Sequence, residues 1–567
     1  MTDQQSLASI VERARSWAAS DPDPRTRSEL EALIEAKDES GLHDRFDHPL
    51  VFGTAGLRGA LGAGPARMNR LVVRQTTAGL ARFVADQGAP ARYAGIVVGR
   101  DARHGSEAFA RDTAEVAAGA GIRVHQFSRP LPTPITAFAV RRLHATAGVM
   151  ITASHNPPAD NGYKAYVADG AQIIPPDDEL VAELAGELGA PPVEVLSSRE
   201  LERIVSIDEK GLLDEYADAA IAVLDPNGER AIAFVYTPLH GVGAAVVPEL
   251  FSRAGFSPPI PVARQAEPDP DFPTVAFPNP EEPGALDLAL EEAKRSRADL
   301  VLANDPDADR LAVAVTDRTG RGFRALSGNE LGALLGDYLV EKSSGPGRLV
   351  ATTIVSSRIL RAIAKDAGIA YEETLTGFKW IARAAKRRPG HYLLFGFEEA
   401  LGYAVSDAVA DKDGMSAALV AAELAAKEKA RGRSLLDRLD DLYVRFGVHA
   451  SSQLSLRSEG QEGIAEFAAI MRRLRSEPPT ELGGHRLGEV TDYLDGSDGI
   501  PPSDALAFEL DGSIRVVVRP SGTEPKLKAY IEVRTDPPRR DELDAARRRA
   551  SEVLEEVRRA LESKLTL

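Results

Sequence analysis

Three aspartates at alternate positions, Asp305, Asp307 and Asp309, stand between two apolar runs in ADLVLANDPDADRLAVAVTD (298–317). Carboxylates this close repel one another unless a hard cation neutralises them, which points to a magnesium-like site. An EF-hand is excluded, because its loop needs glycine where Arg310 stands and glutamate where Thr316 stands. A strand followed by D-x-D also opens the aspartyl-nucleophile phosphatases, but that loop continues with Gly-Thr where this chain has Ala308-Asp309. A solvated acidic turn is the plain alternative. A second segment, AGVMITASHNPPADNGYK (147–164), runs from an apolar strand into Ser154, His155, Asn156 and two prolines. The prolines keep a helix from starting at once, so the serine sits on a loop at a strand end, where α/β proteins place their ligands. No G-x-S-x-G elbow surrounds it. His155 is a poor base for Ser154, because neighbours in an extended chain point apart. By itself the segment reads more often as an ordinary turn than as a site, and Lys164 as an exposed lysine.

Three further stretches carry polar chemistry. In LLFGFEEALGY (393–403) a strand leads to Glu398 and Glu399, which suit either acid and base work or the holding of two sugar hydroxyls. In VVVRPSGTEPKLKAY (516–530), Arg519, Ser521, Gly522, Thr523 and Lys526 have the composition of a phosphate cradle without the Walker spacing. In FGTAGLRGALGAG (52–64), Arg58 between glycines is a candidate anion contact.

The elements that position these residues repeat a plan. YAGIVVGRD (93–101), AIAFVYTPLHG (231–241) and LVATTIVSS (349–357) read as buried strands. Each leads into an amphipathic helix that stops at Gly121, Gly255 or Gly368, and then into a second run from Ile122, Phe256 or Ile369. Such crossovers imply mostly parallel sheets covered by helices. The end of the chain differs, with strands at 505–510, 513–520 and 528–535. Its closing helix carries Leu543, Ala546, Ala550, Val553, Val557 and Leu561 on one core-facing stripe. The proline-rich stretches 257–283 and 475–502 read as long loops. The expected architecture is α/β: three similar domains with mixed, mostly parallel sheets and a smaller C-terminal α+β domain, divided as 1–205, 206–325, 326–446 and 447–567.

Composition agrees with several domains. The chain has 567 residues, 43% of them hydrophobic, which at roughly 100–200 residues per domain gives about three to five. With 68 Lys+Arg against 85 Asp+Glu, the net charge of −17 argues against a nucleic-acid surface. An anionic substrate must therefore find its cations locally. The chain has no cysteine, which removes disulfides, thiolate nucleophiles and zinc–cysteine sites together. The first residues show no basic-then-apolar leader, and no run approaches the roughly 18 apolar residues of a membrane span. A cytoplasmic protein without nucleic-acid or membrane partners is expected.

Taken together and in order, GTAGLRG (53–59), TASHNP (152–157), the loop Asp305–Arg310, TLTGFKW (374–380), GFEE (396–399) and RPSGTEPK (519–526) resemble the α-D-phosphohexomutase family, in the branch of phosphoglucomutases, phosphomannomutases and phosphopentomutases. The resemblance spans nearly the whole chain and implies four domains around one cleft. It implies a phosphoserine at Ser154, with Asp305, Asp307, Asp309 and a phosphoserine oxygen holding Mg2+. Arg58, Lys164 and Arg310 fall at positions near the reaction, with Lys164 the better acid/base candidate and His155 the second. By the same resemblance, Glu398 and Glu399, with Lys379 and His240 nearby, bind the sugar. Arg519, Ser521, Gly522, Thr523 and Lys526 clamp the phosphate that is not reacting. The reaction implied is interconversion of a sugar 1-phosphate and 6-phosphate through a bisphosphorylated sugar, itself the activator, in a monomer or homodimer. Many glucose and mannose members have serine after the paired glutamates, and this chain has Ala400. Glucose is favoured, with mannose and the pentose phosphates of a phosphopentomutase close behind. A magnesium-dependent sugar-phosphate phosphatase is the more distant alternative.

Overall fold

Continuous apolar runs become buried strands in this chain, and the loops at their ends carry its polar chemistry. A computed structural model describes residues 2–51, 56–188, 197–457, 460–521 and 526–565. Its contacts divide into two units: Met1–Asn227, Ile232–Ala312 and Ala408–Leu419 form the first, and Gly228–Ala231, Val313–Asp407 and Val420–Leu567 the second.

The first unit opens with helices Thr2–Ser20, Pro24–Ala36 and Glu39–Phe46, packed around Ile10, Ala14, Leu30, Leu42 and Phe46. Its main sheet contains β1 (Leu57–Ala60), β2 (Ile96–Arg100), β3 (Val124–Gln126), β4 (Ala147–Ile151), β5 (Asp160–Val167) and β6 (Ile204–Ser206), in the order β1-β5-β4-β2-β3-β6. The strands β4, β2, β3 and β6 run parallel, and β5 and β1 are antiparallel additions. Val98, Val124, Val149 and Ile151 are buried under the helices Arg70–Asp86 and Ser106–Gly119. Residues covered on both faces are why β4 is apolar throughout rather than alternating. A second parallel set in this unit joins β7 (Phe234–Thr237) to β8 (Ile260–Pro261) and β9 (Leu300–Ala303).

In the second unit, β10 (Ala312–Thr316), whose first residue closes the first unit, pairs with β11 (Phe323–Ala325) as a hairpin. A further α/β layer follows, with β12 (Arg348–Thr353) parallel to both β13 (Ala370–Thr374) and β14 (Tyr392–Glu398), and β15 (Gly402–Ala404) antiparallel at its side. The chain ends in an antiparallel sheet of β16 (His449–Arg457), β17 (Glu481–Leu482), β18 (His485–Asp492), β19 (Leu506–Leu510), β20 (Ile514–Pro520) and β21 (Lys526–Arg534), ordered β16-β21-β20-β19-β18-β17. The helix Leu543–Lys564 covers β16 and β21 with Leu543, Ala546, Ala550, Val557 and Leu561 buried. The architecture is thus three α/β parts and a smaller α+β part.

Gly121, Gly255 and Gly368 end their helices with φ of 80°, 83° and 64°, the left-handed turn that the sequence pattern requires. Two expectations change. The run from Phe256 is not a strand before Ile260, because Pro258 and Pro259 have no N–H to donate; Phe256 packs on Phe251 instead. The stretch 475–502 is not one loop, since β17 and β18 pair as a hairpin within it. Among the described residues, no helix is long and apolar enough to cross a membrane.

Candidate active site

Beyond β4 the chain turns sharply at Ser154, whose φ is 53°, an unusual conformation for a residue with a β-carbon. Several contacts hold it there. The Ser154 N–H donates to Thr152 Oγ1 (2.8 Å). The buried guanidinium of Arg103 donates to the carbonyls of Ser154 (2.6 Å), Asn156 (2.5 Å), Pro157 (2.7 Å) and Asp160 (3.2 Å). Arg103 is itself set by Asp101, 3.4 Å from its Nε, and by the ring of Phe272, 4.8 Å from its Cζ. One cation therefore fastens the whole serine loop. The left-handed turn also overturns the expectation for His155. The chain is not extended here, and His155 Nδ1 lies 3.2 Å from Ser154 Oγ. Burial, with Arg310 and Arg58 nearby, holds the imidazole well below its usual pKa, so it is neutral at neutral pH.

Ser154 Oγ donates to Asp305 Oδ2 at 2.6 Å, bringing the serine loop onto the aspartate loop after β9. Asp305, Asp307 and Asp309 are all buried, and one oxygen from each lies within 4.8 Å of the others. Lys164, from β5, is not exposed but completely buried: its Nζ donates to Asp307 Oδ2 (2.7 Å) and Asp309 Oδ2 (2.8 Å). Thr133 Oγ1 donates to Asp307 Oδ2 (2.6 Å). Burial and the two neighbouring carboxylates push Asp305 up to about 8, whereas Lys164 holds Asp307 and Asp309 below the ordinary carboxylate range against their burial. Among the described residues, Asp307 Oδ1 and Asp309 Oδ1 remain buried without a hydrogen-bond partner. An all-oxygen set with unsatisfied lone pairs fits a hard divalent cation. Arg58 Nε, among the same charges, is another buried donor without a partner among the described residues, as an anion contact requires. The Arg310 N–H donates to Asp305 Oδ1 (3.0 Å).

Lys412 belongs to this cluster and was not singled out in the sequence; its Nζ is 3.3 Å from Asp309 Oδ2. It is carried by ADKDG (410–414), whose neighbours are anchored on both sides. Tyr166 (3.0 Å) and Gln172 (2.7 Å) donate to Asp411, and Tyr216 donates to Asp413 (2.9 Å). Gly414 is required for close approach, since a β-carbon there would lie 2.2 Å from the Arg310 carbonyl. The alternation of acid and base in D-K-D-G was the available signal. Arg103 was missed too; its only local trace is the spacing Asp101, Arg103, Ser106. His240 sits beside the aspartate loop, where the N–H of Val242 bonds to the Pro306 carbonyl (2.8 Å) and His240 Nε2 meets Thr274 Oγ1 (2.7 Å).

The remaining candidates lie in the second unit. Glu398 accepts from the N–H of Gly377 (2.7 Å), at the start of the short helix Phe378–Ile381 that carries buried Lys379. Glu399 accepts from Ser356 Oγ (2.9 Å). The two glutamates and Arg519 converge on Tyr530, whose pKa rises chiefly through burial and then through the charge of Glu399, with Arg519 hydrogen-bonded to the phenol. Glu398 and Glu399 are therefore neighbours of Arg519, the first residue of the candidate phosphate cradle. The Ser521 N–H and the Lys526 carbonyl close the cradle's base at 2.8 Å; Gly522 and Thr523 lie outside the described residues.

Models of the phosphoglucomutase/phosphomannomutase α/β/α domains I, II and III match residues 49–190, 214–320 and 327–446, and that of the C-terminal domain matches 457–550. The chain belongs to the phosphoglucomutase/phosphomannomutase family. It is a phosphomutase, an isomerase by class. Among relatives in this family, a Haemophilus influenzae protein named "Probable phosphomannomutase" is 43% identical over 83% of this chain and 94% of its own. The human phosphopentomutase is 37% identical over 94% of this chain and 92% of its own. A solved phosphoglucomutase/phosphomannomutase family protein from Burkholderia thailandensis shares the fold with a TM-score of 0.66, at 20% identity over 91% of this chain and 97% of that one. The three N-terminal helices precede the first family domain.

Proposed function

We propose that this phosphomutase interconverts glucose 1-phosphate and glucose 6-phosphate through a phosphorylated Ser154 and a bisphosphorylated sugar. The observation that carries the reading is the buried contact of Ser154 Oγ with Asp305, inside a carboxylate triad that retains two unsatisfied oxygens. The three aspartates and a phosphoserine oxygen hold Mg2+, which when bound disperses charge on the transferring phosphoryl. In the first step the bond between Ser154 Oγ and phosphorus breaks as a bond from the sugar hydroxyl oxygen forms. In the second step the sugar's other phosphoryl group returns to Ser154. Lys164, hydrogen-bonded to Asp307 and Asp309, is the assigned acid: it gives a proton to Ser154 Oγ as the phosphoryl group leaves in the first step and takes it back from the Ser154 hydroxyl in the second, while neutral His155 takes the proton of the attacking sugar hydroxyl and returns it to the departing sugar oxygen. Arg58 and Arg310 face the phosphoryl oxygens. Glu398, Glu399, Lys379 and His240 hold the sugar, and Arg519, Ser521, Gly522, Thr523 and Lys526 the phosphate that is not reacting. The domain division at 205/206, 325/326 and 446/447 is part of the same proposal.

A second reading, a phosphopentomutase acting between pentose 1- and 5-phosphates, is favoured by Ala400, which leaves one sugar-facing hydroxyl absent, and by the similarity to human phosphopentomutase along nearly the whole chain. A kcat/KM panel over glucose, mannose, ribose and deoxyribose 1-phosphates with the matching bisphosphates decides between the two. Intact mass should show one phosphate that disappears in Ser154→Ala together with activity; an active Ser154→Ala enzyme refutes the mechanism.

A further inference from the structure

The main sheet of the first unit has a second crevice at the carboxyl ends of its parallel strands. The strands β2, β3 and β6 end at Arg100, Gln126 and Ser206, and these three residues line a cavity of about 280 Å³. Ser154 follows β4, on the other side of β2 in the sheet. Carboxyl ends of parallel strands are where open α/β sheets take ligands.

The cations of this cavity are unusual for so acidic a chain. Arg100 and Arg111 both line it, and among the described residues neither guanidinium has a carboxylate within ion-pair distance. The next carboxylate along the helix, Asp112, is taken by Arg70 (2.7 Å) and Arg74 (2.6 Å). Glu107, one turn before Arg111, also lines the cavity and is not paired with it. Among the described residues, the side chains of Gln126 and Ser206 and the hydroxyl of Ser128 are likewise without partners. Polar groups with unused capacity thus surround one small space in a protein whose net charge is −17.

We propose that this cavity is an anion site, separate from the one around Ser154, that takes a small phosphorylated polyol. Two guanidiniums match a phosphate dianion through paired N–H donors, and Ser128, Ser206 and Gln126 add three neutral donors for its remaining lone pairs. A carboxylate, with two oxygens and one charge, would leave donors unused. Glu107 accepts a hydroxyl of the carbon skeleton, and the buried ring of Phe127 walls its apolar side. The cavity volume limits the ligand to a few carbons beyond its phosphate.

The test is equilibrium dialysis of the intact protein against glycerol 3-phosphate, compared with the double variant Arg100→Gln/Arg111→Gln. The catalytic site also binds phosphomonoesters, so the quantity read is the difference: the double variant should bind one equivalent fewer while keeping its kcat. An unchanged number of equivalents overturns the proposal. If the double variant loses kcat, the single variant Arg111→Gln on the exposed helix face replaces it. There the weaker of the binding constants should worsen by about tenfold, and an unchanged constant overturns the proposal. Inorganic phosphate should bind this site more weakly than glycerol 3-phosphate, and equal affinity refutes a role for the polyol.

Discussion

Replacing Arg103 tests whether the serine loop is held in place by one cation. Arg103 makes four hydrogen bonds of 2.5–3.2 Å to backbone carbonyls between Ser154 and Asp160 and pairs with buried Asp101. Charge-assisted bonds are worth about 1.5–3 kcal/mol each, but four that share one guanidinium do not add. Breaking a buried pair by removing one partner costs about 3–5 kcal/mol. The Arg103→Ala protein should lose about that much stability in urea denaturation. The catalytic effect separates from it. A loop displaced by about 1 Å costs roughly a hundredfold in rate, or about 2.7 kcal/mol of barrier. Arg103→Lys keeps the charge but cannot reach four carbonyls from one ammonium. It should therefore remain folded, keep its KM for the sugar phosphate because Glu398 and Glu399 are untouched, and lose about two decades of kcat. The assay is steady-state kinetics of both variants well below their melting temperatures. A folded Arg103→Lys enzyme with unchanged kcat refutes the reasoning.

Three other outcomes are expected. Asp305, raised from 3.8 to about 8, is protonated in the metal-free folded protein over a window where the unfolded chain has lost that proton. Metal-free stability should therefore fall as pH rises from about 4 to about 8, by about 1.4 kcal/mol per unit at most. Magnesium affinity should rise over the same window with one proton released, so a Tm gain from Mg2+ that is equal at the two ends refutes this. Lys412→Met removes a cation 3.3 Å from Asp309 and should tighten Mg2+ binding by about tenfold while lowering kcat; weaker binding by calorimetry contradicts the geometry. Gly414→Ala, whose new methyl would meet the Arg310 carbonyl, should cost about 1–3 kcal/mol in denaturation, and a neutral substitution would show that the segment yields.

The sequence already contained the strands, their glycine stops and the groups that meet at the site. Ser154 and the three aspartates were legible because each follows a buried strand, and a strand end fixes where a loop begins. The orientation at Ser154 was not legible. Its left-handed backbone carries no glycine to signal it, and it is imposed from outside by Arg103 and Thr152. Lys164 looked exposed because its partners are supplied by the aspartate loop, far along the chain. Lys412 was invisible for the same reason, its role being set by distant Tyr166, Gln172 and Tyr216. The β17–β18 hairpin was hidden because β17 is only two residues long and β18 is largely exposed and polar, so no apolar alternation marks them.

The segment Ala408–Leu419 belongs to the first unit, although the chain before and after it belongs to the second. This has a consequence for biosynthesis. Tyr166, Gln172 and Tyr216 are buried hydrogen-bond donors whose acceptors are synthesised far later than they are. A nascent chain that has completed the serine and aspartate loops still lacks Lys412 and the acceptors that cover those donors. The first unit is therefore completed only when translation passes residue 419, with its folding tied to the synthesis of the second. Two separately expressed pieces divided between the aspartate loop and that segment would each begin life incomplete.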